Sequence, residues 1–260
     1  MREKKRVVIL PFDGILDLNS LKKKVKEALD NEPLCSILSH IKINDVAHLE
    51  DCPGPQVVRE IKKMIDEFGL SEEVGVMLDL KLGDTSGTLS NYGKHYNLSE
   101  LDILTVSAIC SVRGFFSIRQ SFPKNKVALV SALTDMNQSE CLIRFGSPPK
   151  SKIFRDVSTI EEYSSSNSRS LFDLIVCSPL ELSFLRRNLE NGLGFITPGI
   201  RDEWMVAGQQ NRFTGVRAAL ESGATFVVMG SQLTKGNPET GISAEESIRR
   251  TIEEIEKADF

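Results

Sequence analysis

The sequence is poor in the residue types that build disulfide frameworks and metal centres. Its five cysteines are an odd number, are scattered along the chain and include no Cys-x-x-Cys pair. This pattern argues against both a disulfide framework and a zinc site, and it is typical of a protein kept in a reducing cytoplasm. The three histidines, His40, His48 and His95, show no ligand spacing. We therefore expect a cytoplasmic protein without a metal centre.

Long apolar runs and an excess of basic residues are also absent. No apolar segment approaches the roughly 18 residues of a membrane span, and the apolar run after the basic beginning of the chain is too short for a signal peptide. With 32 lysines and arginines against 36 aspartates and glutamates, the formal net charge is −4. This charge favours neither a nucleic acid nor an anionic membrane as a partner.

What the sequence does contain is a regular alternation of strand-like and helix-like stretches. Short β-branched apolar runs bounded by Gly, Pro, Asp and Ser predict strands that are buried on both faces. The runs are 7–12, 37–43, 74–80, 103–106, 127–133, 174–176, 194–197 and 226–229. Helical periodicity fills the intervals, for example at 57–68. This alternation over 260 residues favours an α/β fold, a single-domain (β/α)8 TIM barrel spanning 1–260. An open, doubly wound sheet alternates in the same way and is the alternative.

The segment 145–169 departs from this alternation. It contains GSPPKSK and EEYSSSNSRS, which are rich in loop-forming residues. It lies in the connection that follows the fifth predicted strand. We expect a loop-like insertion there and not a domain boundary.

Polar residues stand at the point where several predicted strands end. In a (β/α)8 barrel these carboxyl ends meet at one pole, where the chemistry of such folds is carried out. The residues are Asp13, Lys42, Asp79, Lys81, Thr134, Thr197, Gly230 and Ser231. Their convergence predicts a polar site at that pole.

The stretch MLDLKLGDT concentrates charge at the end of the third strand. Asp79 and Lys81 are two residues apart, so on an extended chain they point to the same side. Gly83 is expected to let the chain turn before Asp84. With Lys42, these residues form an alternating set of ammonium and carboxylate groups that hold one another ionised. Such a set can deliver a proton to carbon, and a satisfied structural ion-pair network is the alternative interpretation.

A defined spacing of Asp, Lys, Asp and Thr extends from this stretch into the next predicted helix. Asp79, Lys81, Asp84 and Thr88 follow the pattern D-x-K-x-x-D with a threonine four residues on, and residues 197–201 read TPGIR. Further matches follow in order: Phe12-Asp13, Lys42-Ile43-Asn44, SALTDM at 131–136, VCSPLE at 176–181, and Gln210 with Arg212. In this ordered set the sequence resembles the orotidine 5′-monophosphate decarboxylase family, over nearly the whole chain.

The resemblance implies a carboxy-lyase that converts orotidine 5′-monophosphate to UMP in pyrimidine biosynthesis, with no metal or organic cofactor. Lys81 is then the proton donor to C6 of the pyrimidine, Asp79 lies beside the departing carboxylate, and Lys42 bridges Asp79 to the ribose. Substrate contacts are implied for Asp13 (ribose hydroxyl), Thr134 (pyrimidine edge), Gln210 (phosphate), Pro198, Gly230 and Ser231. The resemblance also implies that Asp84 and Thr88 reach the active site of a neighbouring subunit, in a homodimer with shared active sites.

The sequence also departs from the family pattern at the end of the eighth strand. Residues 230–232 read Gly-Ser-Gln, where the family has Gly-Arg and the arginine holds the substrate phosphate. A charge-assisted hydrogen bond of this kind contributes roughly 1.5–3 kcal/mol. Lys235 and Arg212 are candidate replacements, and backbone amides near Ser231 are another.

This departure keeps two alternative functions open. One is a nucleotide-binding barrel that has kept the charged cluster without catalysis. The other is a sugar-phosphate decarboxylase or synthase of the same superfamily. Those enzymes bind magnesium through a glutamate where this chain has Lys42, and an ammonium at that position would repel the metal.

Overall fold

A computed structural model describes residues 5–164, 170–189, 192–205 and 214–259. Within them eight parallel strands form a closed barrel in chain order. The strands are β1 Val8–Phe12, β2 Leu38–Ile43, β3 Gly75–Leu82, β4 Ile103–Ser107, β5 Lys126–Val130, β6 Leu174–Val176, β7 Gly194–Thr197 and β8 Phe226–Val228. Val8 of β1 pairs with Leu38 on one side and with Val227 on the other, so the sheet has no open edge. The predicted TIM barrel is confirmed, and the open sheet is excluded.

Helices cover the outside of the barrel. They are α1 Leu18–Leu29, α2 Glu32–Ile37, α3 Gly54–Glu67, α4 Ser86–Tyr96, α5 Val112–Ser121, α6 Gln138–Phe145, α7 Pro149–Ser164, α8 Pro179–Asn188, α9 Val216–Glu221, α10 Ser231–Thr234 and α11 Ala244–Lys257. α3 shows why they form: Val57, Ile61 and Ile65 recur at intervals of four and are buried along one stripe. At the start of α11, Ser243 accepts a hydrogen bond from the backbone of Glu246, which caps the helix.

Two apolar layers follow from the alternation of side chains along each strand. Residues that point outward pack against the helices and form the larger core. Residues that point inward form a smaller core, made of Ile9, Met77, Ile103, Ala128, Leu174 and Ile196. On β2 the inward positions belong to His40 and Lys42. Alternation therefore places polar side chains inside the barrel at both of its poles.

The segment 145–169 differs from the prediction. Residues 149–164 form helix α7, which buries Ile153, Val157 and Ile160, so the expectation of a loop is wrong for them. The spacing of these apolar residues is typical of one helical face. The serines and prolines on either side of them are typical of loops, and the loop prediction was based on those residues. The helix also packs on α8 through an edge-to-face contact of Phe154 with Phe184, at a centroid distance of 6.2 Å. Residues 165–169 lie outside the described part of the chain.

Candidate active site

Four charged residues meet at the carboxyl ends of the first three strands. Asp13 follows β1, Lys42 lies near the end of β2, and Asp79 and Lys81 lie in the last part of β3. Lys42 Nζ is 3.3 Å from Asp13 Oδ1 and 3.4 Å from Asp79 Oδ2, and Lys81 Nζ is 3.0 Å from Asp79 Oδ1. The groups thus alternate in sign along one row, in the order Asp13, Lys42, Asp79, Lys81.

The row runs from the solvent into the barrel and out again. The side chains of Lys42 and Asp79 are only 9% and 12% exposed, whereas those of Lys81 and Asp13 are 35% and 50% exposed. Burial of an ionised group costs free energy unless an opposite charge lies beside it. Each buried charge in this row has an oppositely charged neighbour on both sides, so the predicted alternation of charges is present at its centre.

The backbone of β3 is irregular where it carries Lys81. The pairing of β3 with β4 shifts register between Leu78 and Leu82, and Lys81 has a φ of 48°, in the left-handed region. Non-glycine residues rarely adopt this conformation, and at functional sites it is a recognised form of local strain. Lys81 still lies within β3. The chain leaves the strand at Gly83 and bends at Asp84, although Gly83 itself has no positive φ.

A threonine that the sequence analysis did not select contacts this irregular segment. Thr105 on β4 is fully buried. Its Oγ1 accepts a hydrogen bond of 2.8 Å from the backbone N–H of Lys81 and donates one of 2.9 Å to Asp79 Oδ1. The available signal was a hydroxyl at an inward position of β4, where Ser107 is the only other polar residue of the strand.

The charged row forms one wall of a cavity of about 250 Å³. Met77, Val130 and Ile196 contribute an apolar surface to the same cavity, and Thr134 and Pro198 also line it. The cavity therefore presents charge on one side and hydrocarbon on the other. This combination is typical of a binding site for a small molecule.

Gly230 and Ser231 line a neighbouring cavity of about 460 Å³ and not the one that contains Lys81. The two cavities share Pro11 and Asp13. Lys235, the candidate cation named from the sequence, lines this second cavity. Lys24 of α1, which the sequence analysis did not select, lines it as well. Gln210 and Arg212 lie outside the described residues.

Asp84 and Thr88 lie away from the charged row. Both are exposed, and within the described residues no ion pair joins Asp84 to a lysine. The backbone N–H of Thr85 donates to Asp84 Oδ1 at 2.6 Å. This bond, with a further one from the Thr88 hydroxyl, lowers the pKa of the Asp84 carboxyl. The sequence grouped Asp84 with Lys42, Asp79 and Lys81, but inside one chain the structure does not bring it to them.

A buried polar network connects the ends of β7 and β8 and was also missed by the sequence analysis. The side chain of Gln232 donates to Asp202 and to Thr251, and its carbonyl accepts from the backbone N–H of Asp202 at 3.2 Å. Asp202 also accepts from the backbone N–H of Val216 at the start of α9, at 2.8 Å. Burial raises the pKa of the Asp202 carboxyl. The network holds Gln232, the residue that follows Ser231, in a defined position.

Two other kinds of feature, a metal site and a membrane-spanning helix, are absent from the described parts of the chain. No group of three or more His, Cys, Asp or Glu side chains is arranged to hold a metal ion among these residues. None of their helices combines the length and the apolar character that crossing a membrane requires. The cytoplasmic location and the lack of a cofactor remain predictions.

The fold and the charged row together define a class: a (β/α)8-barrel enzyme with its site at the carboxyl ends of the strands. Residues 46–244 match the model of the orotidine 5′-phosphate decarboxylase / HUMPS family. The chain belongs to this family. The prediction of the family from the sequence is confirmed.

Curated relatives and solved structures agree with this assignment. The chain is 27% identical to the orotidine 5′-phosphate decarboxylase of Nitrosospira multiformis over 70% of its own length and 71% of that protein. It is 25% identical to the enzyme of that name from Staphylococcus epidermidis, over 79% and 82% of the two chains. The orotidine 5′-phosphate decarboxylase structure from Lactobacillus acidophilus has the same fold, with a TM-score of 0.68, 20% identity and coverage of 96% and 99%. The prediction of an enzyme, a carboxy-lyase by the names of its curated relatives, is confirmed at this level.

Proposed function

We propose that this protein decarboxylates orotidine 5′-monophosphate to UMP in pyrimidine biosynthesis, without a metal ion. The observation that carries the proposal is the row of alternating charges at the mouth of the barrel, with Lys81 3.0 Å from Asp79. Family membership alone does not select the substrate, because the matching family also has a HUMPS branch. Lys42 argues against a metal-dependent relative, since its ammonium lies between Asp13 and Asp79 and would repel a cation.

The reaction follows from the position of each charge. The substrate carboxylate on C6 would lie against Asp79, where repulsion between the two anions favours the loss of CO2. As the bond from C6 to the carboxylate breaks, its electron pair stays on C6. Lys81 Nζ gives a proton to that carbon, and the neutral amine then recovers a proton from water. Lys42 stabilises Asp79 throughout, because it stays paired with the other carboxylate oxygen.

The rest of the substrate would extend from one cavity into the other. Thr134 and Pro198 line the cavity for the pyrimidine, and Gly230 and Ser231 line the adjoining one. Asp13 lines both, so a ribose that connects ring and phosphate would pass beside it. The phosphate would then meet Ser231, together with Gln210, whose role rests on the resemblance alone.

The Lys81→Ala variant tests the proposed function. We expect purified wild-type protein to convert orotidine 5′-monophosphate in the presence of EDTA, measured by the change in ultraviolet absorbance. Loss of a general acid typically costs about 100- to 10,000-fold in rate, so Lys81→Ala should lose at least that much. Lys124→Ala is the matched control. Lys124 is exposed and lies just before β5, at the pole opposite the charged row, so this variant should keep full activity.

Two results would contradict the proposal. Tight binding of UMP without any turnover by the wild type would favour the non-catalytic barrel, to which the absence of arginine at position 231 already points. Turnover of a sugar phosphate that disappears in EDTA would favour the metal-dependent branch.

We also propose that two subunits share their active sites through Asp84 and Thr88. The support is that both residues are exposed and lie apart from the charged row of their own chain. A 1:1 mixture of Lys81→Ala and Asp84→Ala proteins, unfolded and refolded together, should recover about a quarter of the wild-type activity. Half of the dimers would be mixed, and each mixed dimer would hold one intact site of two.

A mixture of Lys81→Ala with Asp79→Ala is the control for this experiment. Both of these residues belong to the row within one chain, so no mixed dimer would hold an intact site and activity should stay lost. Equal recovery in both mixtures, or none in the first, would show that Asp84 does not act across an interface.

A further inference from the structure

The hydroxyl of Thr105 closes a ring of contacts around the amine that would donate the proton. The ring runs from the backbone N–H of Lys81 to Thr105 Oγ1, on to Asp79 Oδ1, and back through Lys81 Nζ. Its three distances are 2.8, 2.9 and 3.0 Å. The ammonium of the lysine thus contacts this carboxylate oxygen directly, and its backbone N–H is linked to the same oxygen through the Thr105 hydroxyl.

The irregular end of β3 explains why this hydroxyl is needed. The register shift between Leu78 and Leu82 interrupts the pairing of β3 with β4, so the N–H of Lys81 bonds to a side chain in place of a strand carbonyl. A buried backbone N–H needs an acceptor, and a bulge is a place where the ladder does not supply one. The left-handed backbone of Lys81 is also unfavourable for a residue with a Cβ, so it persists only where neighbouring contacts hold it.

A threonine hydroxyl has one proton to give and two lone pairs to accept with. Thr105 gives its proton to Asp79 and accepts the N–H of Lys81. The direction of both bonds is determined, because a carboxylate can only accept and an N–H can only donate. The side chain is fully buried, so water does not compete for either bond.

We propose that Thr105 is a positioning residue for the reaction, and that its hydroxyl holds the left-handed backbone of Lys81 and thereby sets the direction of the Lys81 ammonium. Thr105 is not among the residues that line the cavity, so it acts on the substrate only through Asp79 and Lys81. The effect on turnover rests on the proposed function. The effect on the conformation of Lys81 does not.

Three variants test this role through steady-state kinetics. Thr105→Val keeps the shape and removes both hydrogen bonds, and we expect kcat to fall roughly 5- to 150-fold, the range for an unsatisfied buried polar group. KM should stay within about twofold, because the residues that line the cavity are unchanged. Thr105→Ser keeps the hydroxyl and should restore most of kcat.

Thr225→Val is the matched control. The Thr225 hydroxyl also accepts a backbone N–H, that of Phe195, at 2.9 Å, but at the opposite pole of the barrel. The Thr225→Val variant should lose about as much stability as Thr105→Val but should keep the wild-type kcat. Equal losses of kcat in the two valine variants, no loss in Thr105→Val, or no rescue by serine would each overturn the positioning role. If Thr105→Val does not fold, Thr105→Ala replaces it with the same expectations.

A crystal structure of Thr105→Val gives a second readout that needs no activity. We expect Lys81 to leave the left-handed region and its Nζ to move away from Asp79 Oδ1. An unchanged left-handed backbone at Lys81 and an unchanged ion pair would overturn the inference. If the wild type does not turn over orotidine 5′-monophosphate, the proposed function fails, while this structural comparison still decides the role of Thr105.

Discussion

Strand β2 carries a polar side chain into the barrel at each pole, and the surroundings of the two side chains differ. Lys42 and His40 lie two positions apart on β2 and both point into the barrel. At the carboxyl pole Lys42 lies between two carboxylates and is charged at small cost. At the amino pole His40 packs edge-to-face on Phe226, at a centroid distance of 5.1 Å. Burial, with a smaller contribution from the charge of Lys126, lowers the pKa of His40 to about 4, so this side chain is kept neutral.

The carboxylates at the two poles also differ in the groups that they bind. At the amino pole Asp102 accepts the backbone N–H of Val76 at 2.7 Å, and Asp173 accepts that of Val127 at 2.8 Å while it pairs with Arg119 at 2.6 Å. These bonds tie the carboxylates to the backbone near the beginnings of strands. Asp79 at the carboxyl pole accepts from side chains and faces a cavity. Polar groups tied to the backbone support the fold, and polar groups tied to other side chains around a cavity remain able to meet a substrate.

Of the substitutions that compare the two poles, replacing His40 should have the largest effect. It should change the pH dependence of the free energy of unfolding and leave catalysis unchanged. The folded pKa of about 4 lies below the ordinary value of 6.5, so between these two values the unfolded chain binds a proton that the folded chain does not. Stability therefore falls as the pH drops from about 6.5 toward 4, by up to about 3 kcal/mol in total. His40→Leu should lack this part of the pH dependence, as measured by urea unfolding across that range.

The activity of the same variant tests whether the two poles are independent of each other. Because His40 lies at the amino pole, His40→Leu should keep kcat and KM at pH 7. A large loss of turnover there would mean that the two poles are not independent. An unchanged slope of stability against pH would mean that His40 is not buried neutral.

Replacing Ser231 should have a smaller effect, confined to the carboxyl pole. An arginine there would add a charge-assisted bond to a substrate phosphate, which contributes roughly 1.5–3 kcal/mol. Ser231→Arg should then lower KM for the nucleotide by about 10- to 150-fold, measured by initial rates. Ser231→Gln, long but uncharged, is the control and should change KM little.

The opposite result would identify a cation already in place. Lys24 and Lys235 both line the cavity beside Ser231. An unchanged or raised KM in Ser231→Arg would mean that one of them, or a residue outside the described part of the chain, already holds the phosphate. Combining Ser231→Arg with Lys235→Ala would then locate that residue.

Much of the candidate site could be predicted from the sequence because its residues stand at the ends of strands. Asp13, Lys42, Asp79 and Lys81 follow apolar runs that are recognisable one at a time, and the closed barrel brings such ends together whatever their order. Helix α7 could have been found in the same way from the spacing of Ile153, Val157 and Ile160. The serine- and proline-rich flanks obscured a signal that was present.

The strand and helix alternation, the barrel class and the pole at which charge collects could all be predicted from the sequence, because they depend on local periodicities of two and 3.6 residues. The left-handed backbone of Lys81 and the ring that Thr105 closes could be recognised only in three dimensions. Each of these depends on the register between β3 and β4 or on the contacts it creates. Register between strands is a relation between distant parts of the chain, and a shift of one residue exchanges the side chains that face the cavity for those that face the helices.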